Sequence, residues 1–298
     1  MREGEEAAVA QLAHEAFANL DRRLGHAGPP PKLHRRVARR ARRWLGRTEP
    51  PQPPRQVGRF EHLRNTDPDG SWVAVRDGAV VGSSVALVRD GVWALSLLVV
   101  APDMQGTGVG ARLMQSALGY ADGTRGGLIL SSLDSRGVRV YARAGFAVEP
   151  CVRAAGEPRR DRLPDSPDVR AGDKRDLSLC EAVSREVRGA THDPDLRWLL
   201  DTGSELLVMD GRGYAVCFEE RLELLAARDE DAARQLLIAA LRRVPPGRSV
   251  EVEHLSARQQ WAIATCVEVG WELRPTGPIC WRGAVGPLAP YLPTGAFL

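Results

Sequence analysis

The chain has 298 residues, 43% of them hydrophobic and 27% charged, which is ordinary globular composition and enough length for two domains. Its 41 basic and 38 acidic side chains leave a formal net charge of +3, too little to point to nucleic acid. The five cysteines are dispersed without a C-x-x-C pair, which argues against a disulfide framework or a zinc site and suits reduced thiols in a cytoplasmic protein.

Met1 to Glu6 is acidic and lacks the apolar core of a signal peptide. No stretch approaches the roughly 20 apolar residues needed to span a bilayer, so no membrane partner is expected. Val9, Leu12, Ala13, Ala16, Phe17 and Leu20 recur at helical spacing and predict a helix over Ala7–Leu20. Pro29–Pro31 breaks the chain. Lys32–Arg47 reads as a basic amphipathic helix with Leu33, Val37, Ala41, Trp44 and Leu45 on one side. Such a charge run is usually a solvated face, so nucleic acid is not expected as a partner. With its proline-rich flanks, the segment is a candidate part of an acceptor site. A second break follows at Pro50–Pro54. His62 precedes an Asp-Pro-Asp-Gly turn at Asp67–Gly70 and is read as structural.

From Ser71 the period changes to strands. Trp72–Val75 and Ala79–Leu87 flank Asp77-Gly78, the signature of a hairpin with a type I′ turn. Asp90-Gly91 marks another turn, and Val92–Val100 is a further strand. Then Gln105-Gly106-Thr107-Gly108-Val109-Gly110 leads into Ala111–Leu118, which has helical spacing. A strand, a glycine loop and a helix start form a phosphate cradle. The glycines let the backbone amides approach closely, and the helix N-terminus adds partial positive charge. Gly127–Leu133 reads as a strand, Ser135–Ala144 as a helix and Gly145–Val148 as a strand. Cys151–Pro167 is polar and proline-punctuated, like a linker.

The second half repeats this order. Glu205–Met209 and Gly213–Phe218 flank Asp210-Gly211, and Arg221–Ala227 is a strand. Asp229 can cap a helix to Arg243, and Ser249–His254 is a strand. Ser256 to Gln259 is a capping box that starts a helix to about Val269. Tyr141–Pro150 aligns with Cys266–Pro275, each passing through Gly and an aromatic residue. This predicts a diverged duplication: domains at 1–155 and 168–298 joined by a linker at 156–167, the second with an apolar tail at Tyr291–Leu298 that docks.

On Gln105-x-x-Gly108-x-Gly110 after a strand, with Tyr141 and Gly145-Phe146 downstream, the chain resembles the GNAT (Gcn5-related) N-acetyltransferase family. The resemblance covers Trp72–Val148 in the family's order of elements. It implies an α/β (α+β) architecture of two tandem GNAT-like domains, each a mixed central sheet flanked by helices. It also implies acetyl-CoA as co-substrate, without a metal. The amides of Gln105, Gly106, Thr107, Gly108, Val109, Gly110 and Ala111 would then hold the pyrophosphate. Leu98, Val99 and Val100 would pair with the pantetheine arm, and Arg112 could reach a CoA phosphate. Tyr141 stands where the family often has a tyrosine that protonates the leaving thiolate. The strand before the loop carries no carboxylate, and Ser96 is its only side-chain hydroxyl, so the base is open and ordered water remains an option. Asp134 stands near a position that is often asparagine; Ser96 and Asp134 are further candidates.

The second half has no glycine between Ala227 and Ala233. Arg228-Asp229-Glu230-Asp231 brings three carboxylates that would repel a pyrophosphate, and Cys266 replaces the tyrosine. This half is read as degenerate. Gly106-x-Gly108-x-x-Ala111 also fits a dinucleotide fingerprint with Asp134 as the ribose acid. The hairpin strands before it and the five intervening residues Ala101–Gln105 argue against that reading. The expected activity is transfer of an acetyl group from acetyl-CoA to a primary amine in a ternary complex. The acceptor is a small molecule, with a protein acceptor as a second option. The alternative is a non-catalytic acyl-CoA-binding regulatory module.

Overall fold

The computed structural model describes residues 1–25 and 54–298, so the basic Lys32–Arg47 segment and the proline breaks around it lie outside the described residues. Contacts divide the chain into one unit of Met1–Val85 and Leu97–Tyr120, and a second of Ala86–Ser96 and Ala121–Leu298.

In the first unit, α1 (Glu6–Arg23) buries Val9, Leu12, Ala13, Ala16 and Leu20, the stripe expected from the sequence. Helix α2 (Pro54–Thr66) packs on it, burying Phe60 and Leu63 completely, and Arg64 pairs with Glu6. This helix was not expected. Its apolar residues are only Val57, Phe60 and Leu63, set among charged neighbours. The Asp-Pro-Asp-Gly turn closes as a single 3₁₀ turn at Pro68–Gly70. Strands β1 (Ser71–Arg76) and β2 (Ala79–Arg89) pair antiparallel from Ser71↔Val85 to Arg76↔Ala79. Asp77 and Gly78 are both left-handed, with φ of 51° and 79°, as a type I′ turn requires. Helix α3 (Val109–Gly119) packs on β1.

In the second unit, β3 (Val92–Val100) pairs parallel with β4 (Gly126–Leu130) from Val92↔Gly126 to Leu95↔Ile129, where the ladder ends. Helix α4 (Ser135–Arg143) and strand β5 (Ala147–Gly156) follow. Strand β5 is longer than Gly145–Val148 and takes in Cys151–Gly156 from the linker-like stretch. The next elements are β6 (Arg170–Gly172), α5 (Leu177–Val187), α6 (Asp195–Asp201), β7 (Glu205–Met209), β8 (Gly213–Phe218) and β9 (Arg221–Ala227). Then come α7 (Glu230–Arg242), β10 (Val250–Leu255), α8 (Gln260–Glu268), β11 (Glu272–Gly283) and β12 (Tyr291–Leu292).

The strands form a seven-stranded sheet in the order β1-β2-β3-β4-β11-β5-β10 and a five-stranded sheet in the order β12-β9-β8-β7-β6. The two sequence halves therefore exchange strands. β11, from the second half, lies between β4 and β5 of the first, pairing Cys280 with Ile129 on one side and with Val148 on the other. β5 in turn lies between β11 and β10, with Val250 opposite Gly156. The apolar tail docks as expected: β12 pairs with β9 at Tyr291↔Ala226, and Phe297 and Leu298 are buried.

One buried ion pair ties β2 to α6. Arg89 donates from Nε and Nη2 to Asp195 at 2.9 and 2.8 Å, with side chains 6% and 0% exposed. Arg89→Met leaves the Asp195 carboxylate buried without its guanidinium. A stability loss of about 3–5 kcal/mol is expected in urea unfolding. A loss below about 1 kcal/mol would contradict this role.

Candidate active site

The glycine loop is built by its own hydrogen bonds. Ala101 N–H donates to Val81 O at 2.9 Å, and a 3₁₀ turn follows at Pro102–Met104. Gln105 Nε2 donates back to Val100 O at 3.0 Å, and Thr107 Oγ1 to Met104 O at 2.7 Å. Gly106 and Gly108 are left-handed, with φ of 84° and 88°, and a Cβ at either would meet nothing within 4 Å. The loop thus has open space over it and a backbone that side-chain-bearing residues resist. Gly108 is the N-cap of α3 and supplies no capping side chain. Arg112 N–H bonds back to Gly108 O at 3.1 Å, while the amides before it have no intrahelical acceptor to reach. An uncapped N-terminus with partial positive charge is an anion cradle.

Leu98 and Val100 are half-buried on β3 with Val99 buried between them. The loop from Gln105 to Arg112 and Leu98–Val100 therefore belong to the first unit, and Arg112 is exposed. Arg76, not singled out in the sequence, comes near the loop. Its Nη1 lies 3.1 Å from Met104 Sδ, putting a guanidinium at the rim of the loop. Only the β1–β2 register brings it there.

Ser96, Asp134 and Tyr141 belong to the second unit. Ser96 Oγ is enclosed and has no hydrogen-bond partner. Asp134 is the N-cap of α4, accepting from Arg136 N at 3.0 Å and pairing with Arg136 Nη2 at 2.8 Å. Tyr141 is 7% exposed, its ring beside Gly137 one turn earlier. Burial, with Cys280 and Asp134 adding to it, raises the phenol well above its usual range, so it stays protonated at neutral pH.

The corresponding helix start of the second half is capped by a side chain. Asp229 caps α7, accepting Ala232 N–H at 2.9 Å, and Arg212 reaches both Asp229 and Asp231. A carboxylate already takes the first-turn amides that the other loop leaves open. Cys266 is fully buried, and burial pushes its thiol up to about 12. Among the described residues, no group of three or more His, Cys, Asp or Glu could hold a metal ion, and no helix is long and apolar enough to cross a membrane.

Residues 38–146 match the model of the acetyltransferase (GNAT) family. That match, with the fold, makes this stretch similar to GNAT acetyltransferases. No curated protein matches it in sequence. A proposed acetyltransferase from Pyrococcus horikoshii is similar in structure over 99% of this chain and 92% of its own, with a TM-score of 0.74 and 15% identity. A tandem GNAT protein from the clavulanic acid biosynthesis pathway is similar over 94% and 96%, with a TM-score of 0.54 and 16% identity. A GCN5-related N-acetyltransferase from Sphaerobacter thermophilus is similar over 95% and 94%, at 0.53 and 15%. These likenesses show a GNAT-like fold, and one of the similar proteins is itself a tandem GNAT protein.

Proposed function

We propose that the chain is an acyl-CoA-dependent N-acyltransferase that moves acetyl from acetyl-CoA to a primary amine, with the site in its N-terminal half. The observation that carries this is the uncapped start of α3 behind two left-handed glycines, within a stretch similar to GNAT acetyltransferases. The amides of Gln105–Ala111 hold the pyrophosphate, Leu98–Val100 pair with the pantetheine arm, and Arg112 and Arg76 add cations beside the phosphates. In the transfer step the amine nitrogen forms a C–N bond at the thioester carbonyl and the C–S bond breaks. Tyr141, held protonated by burial, gives its proton to the leaving thiolate. A base or a water chain takes the proton from the amine, and β3 brings no carboxylate to do so. The second half keeps the fold but not this mode of binding, because Asp229 occupies its helix start.

The test is CoA release from acetyl-CoA across a panel of small amines and lysine peptides. Release with at least one acceptor is expected, and Tyr141→Phe should lower kcat by roughly 100-fold with KM for acetyl-CoA little changed. Acetyl-CoA binding without release from any acceptor would favour a regulatory acyl-CoA-binding module. An unchanged kcat in Tyr141→Phe at several pH values would remove Tyr141 from the reaction.

A further inference from the structure

Two arginines of helix α2 lie against the protein, and they are matched differently. Arg64 pairs with Glu6. The Nε of Arg59 is enclosed and has no hydrogen-bond partner among the described residues. Its guanidinium carbon lies 4.5 Å from the centre of the Phe60 ring, and Phe60 is completely buried. A buried ring under the guanidinium fixes where the charge stands. Burial lowers that charge to about 10, with no carboxylate of the described residues to offset it. The residue as a whole is half-buried, so part of it stays open to a ligand. An ion taken from water needs a counter-charge or a full set of hydrogen bonds, and Arg59 has an enclosed N–H with neither. Such a charge destabilises the chain that carries it. Residues of this kind concentrate where a ligand supplies the missing group.

The missing group is an anion, and its class can be narrowed. Phosphates have the uncapped start of α3, with Arg76 and Arg112 near it. Helix α2 is tied to the other end of α3: Tyr120 OH donates to Asp67 Oδ1 at 2.9 Å, just past the end of α2. Between that end and the cradle lies the length of α3, about 16 Å. The proline-rich stretch that runs into α2 at Pro54 flanks the segment read from the sequence as part of an acceptor site. A guanidinium held against a ring presents a planar fork of N–H groups, which matches the two oxygens of a carboxylate. We propose that Arg59 determines acceptor specificity by binding a carboxylate of the acceptor, so that the amine acylated here is one that also carries a carboxylate, such as an amino acid. This rests on the acyltransferase reading above.

The test compares the full chain with Arg59→Met and Arg59→Lys on matched acceptors, phenylalanine against phenethylamine and leucine against 3-methylbutylamine. In the wild type, kcat/KM should be at least about tenfold higher for the amino acid, mainly through KM. Arg59→Met should erase that preference, lowering kcat/KM for the amino acid roughly tenfold or more and leaving that for the decarboxylated amine within about twofold. Arg59→Lys keeps the charge without the fork and should keep part of the preference. Without ligand, Arg59→Met should melt at or above the wild type, since it removes an unmatched charge. A structural arginine would instead give a lower melting temperature and an unchanged preference. Equal kcat/KM for the paired amines in the wild type, or the same preference in Arg59→Met, would overturn the proposal. A wild type that releases no CoA with any amine would overturn the acyltransferase reading. Binding then decides the carboxylate site: with CoA present, phenylalanine should raise the melting temperature of the wild type and not that of Arg59→Met. An equal shift in both, or none in either, would overturn it.

Discussion

Gly277→Ala is expected to cost at least about 3 kcal/mol, a large share of the roughly 5–15 kcal/mol that holds a typical domain folded. The added Cβ would lie 1.7 Å from Ser131 O, 2.5 Å from Ser131 C and 2.6 Å from Ser132 C. All three are backbone atoms, so no side chain can rotate away. Nor can β11 retreat, since it is paired with β4 from Ile279↔Leu130 to Gly283↔Gly126 and with β5 along most of its length. Relief would have to come from lifting β11 off one neighbour, which exposes Ile279 and Cys280, now 3% and 0% exposed. Gly119→Ala is the matched control: its Cβ meets nothing within 4 Å and its φ is not left-handed, so it should change stability by less than about 1 kcal/mol. Urea unfolding of the two variants decides the matter. A Gly277→Ala protein as stable as the control would contradict the tight approach between β11 and β4.

Because β11 completes the sheet of the other half, the first half lacks an interior strand when taken alone. That exchange was not legible in the sequence, and the reason is physical. Tyr141–Pro150 and Cys266–Pro275 carry nearly the same pattern, so either strand satisfies either slot locally. Which strand fills which slot depends on long-range pairing, not on period or propensity. The Asp-Gly hairpins were legible, since each turn needs two left-handed residues and Asp-Gly supplies them at Asp77-Gly78 and Asp90-Gly91. The Asp229 cap and the Ser256–Gln259 capping box were legible for a similar reason, as each is a local hydrogen bond between named side chain and backbone. Helices α2 and α5 were not read, because short apolar spacings such as Leu177, Cys180, Val183 and Val187 are broken up by polar neighbours.

Site residues divide along the same line. The loop and Tyr141 sit in a stretch whose order of elements is distinctive, so a pattern could find them. Arg76 reaches Met104 only through hairpin register. Asp134 had two readings in the sequence, one as a site residue and one as a ribose acid. In the structure its carboxylate is engaged as the α4 cap and by Arg136.

The loop itself carries the second large effect. At Gly108 there is space for a side chain but no comfortable backbone, since φ is 88°. A β-branched residue such as Val strongly resists that region, at a cost on the order of 1–3 kcal/mol. The loop can relieve this strain by turning the amides at the start of α3 away from their common direction. Folding need not suffer much, because the loop is exposed and nothing packs against the new side chain. Binding should suffer, since those amides are the proposed ligands of the pyrophosphate. If about 3 kcal/mol of strain is released by reshaping the cradle, affinity for CoA falls roughly 100-fold. Calorimetric titration of acetyl-CoA into the wild type and into Gly108→Val, with melting temperatures measured alongside, is the most direct test of the proposed site. The expected result is one binding site per chain in the wild type, weakened roughly 100-fold in Gly108→Val at a similar melting temperature. Equal affinity in the two proteins, or a second site of similar affinity per chain, would contradict it.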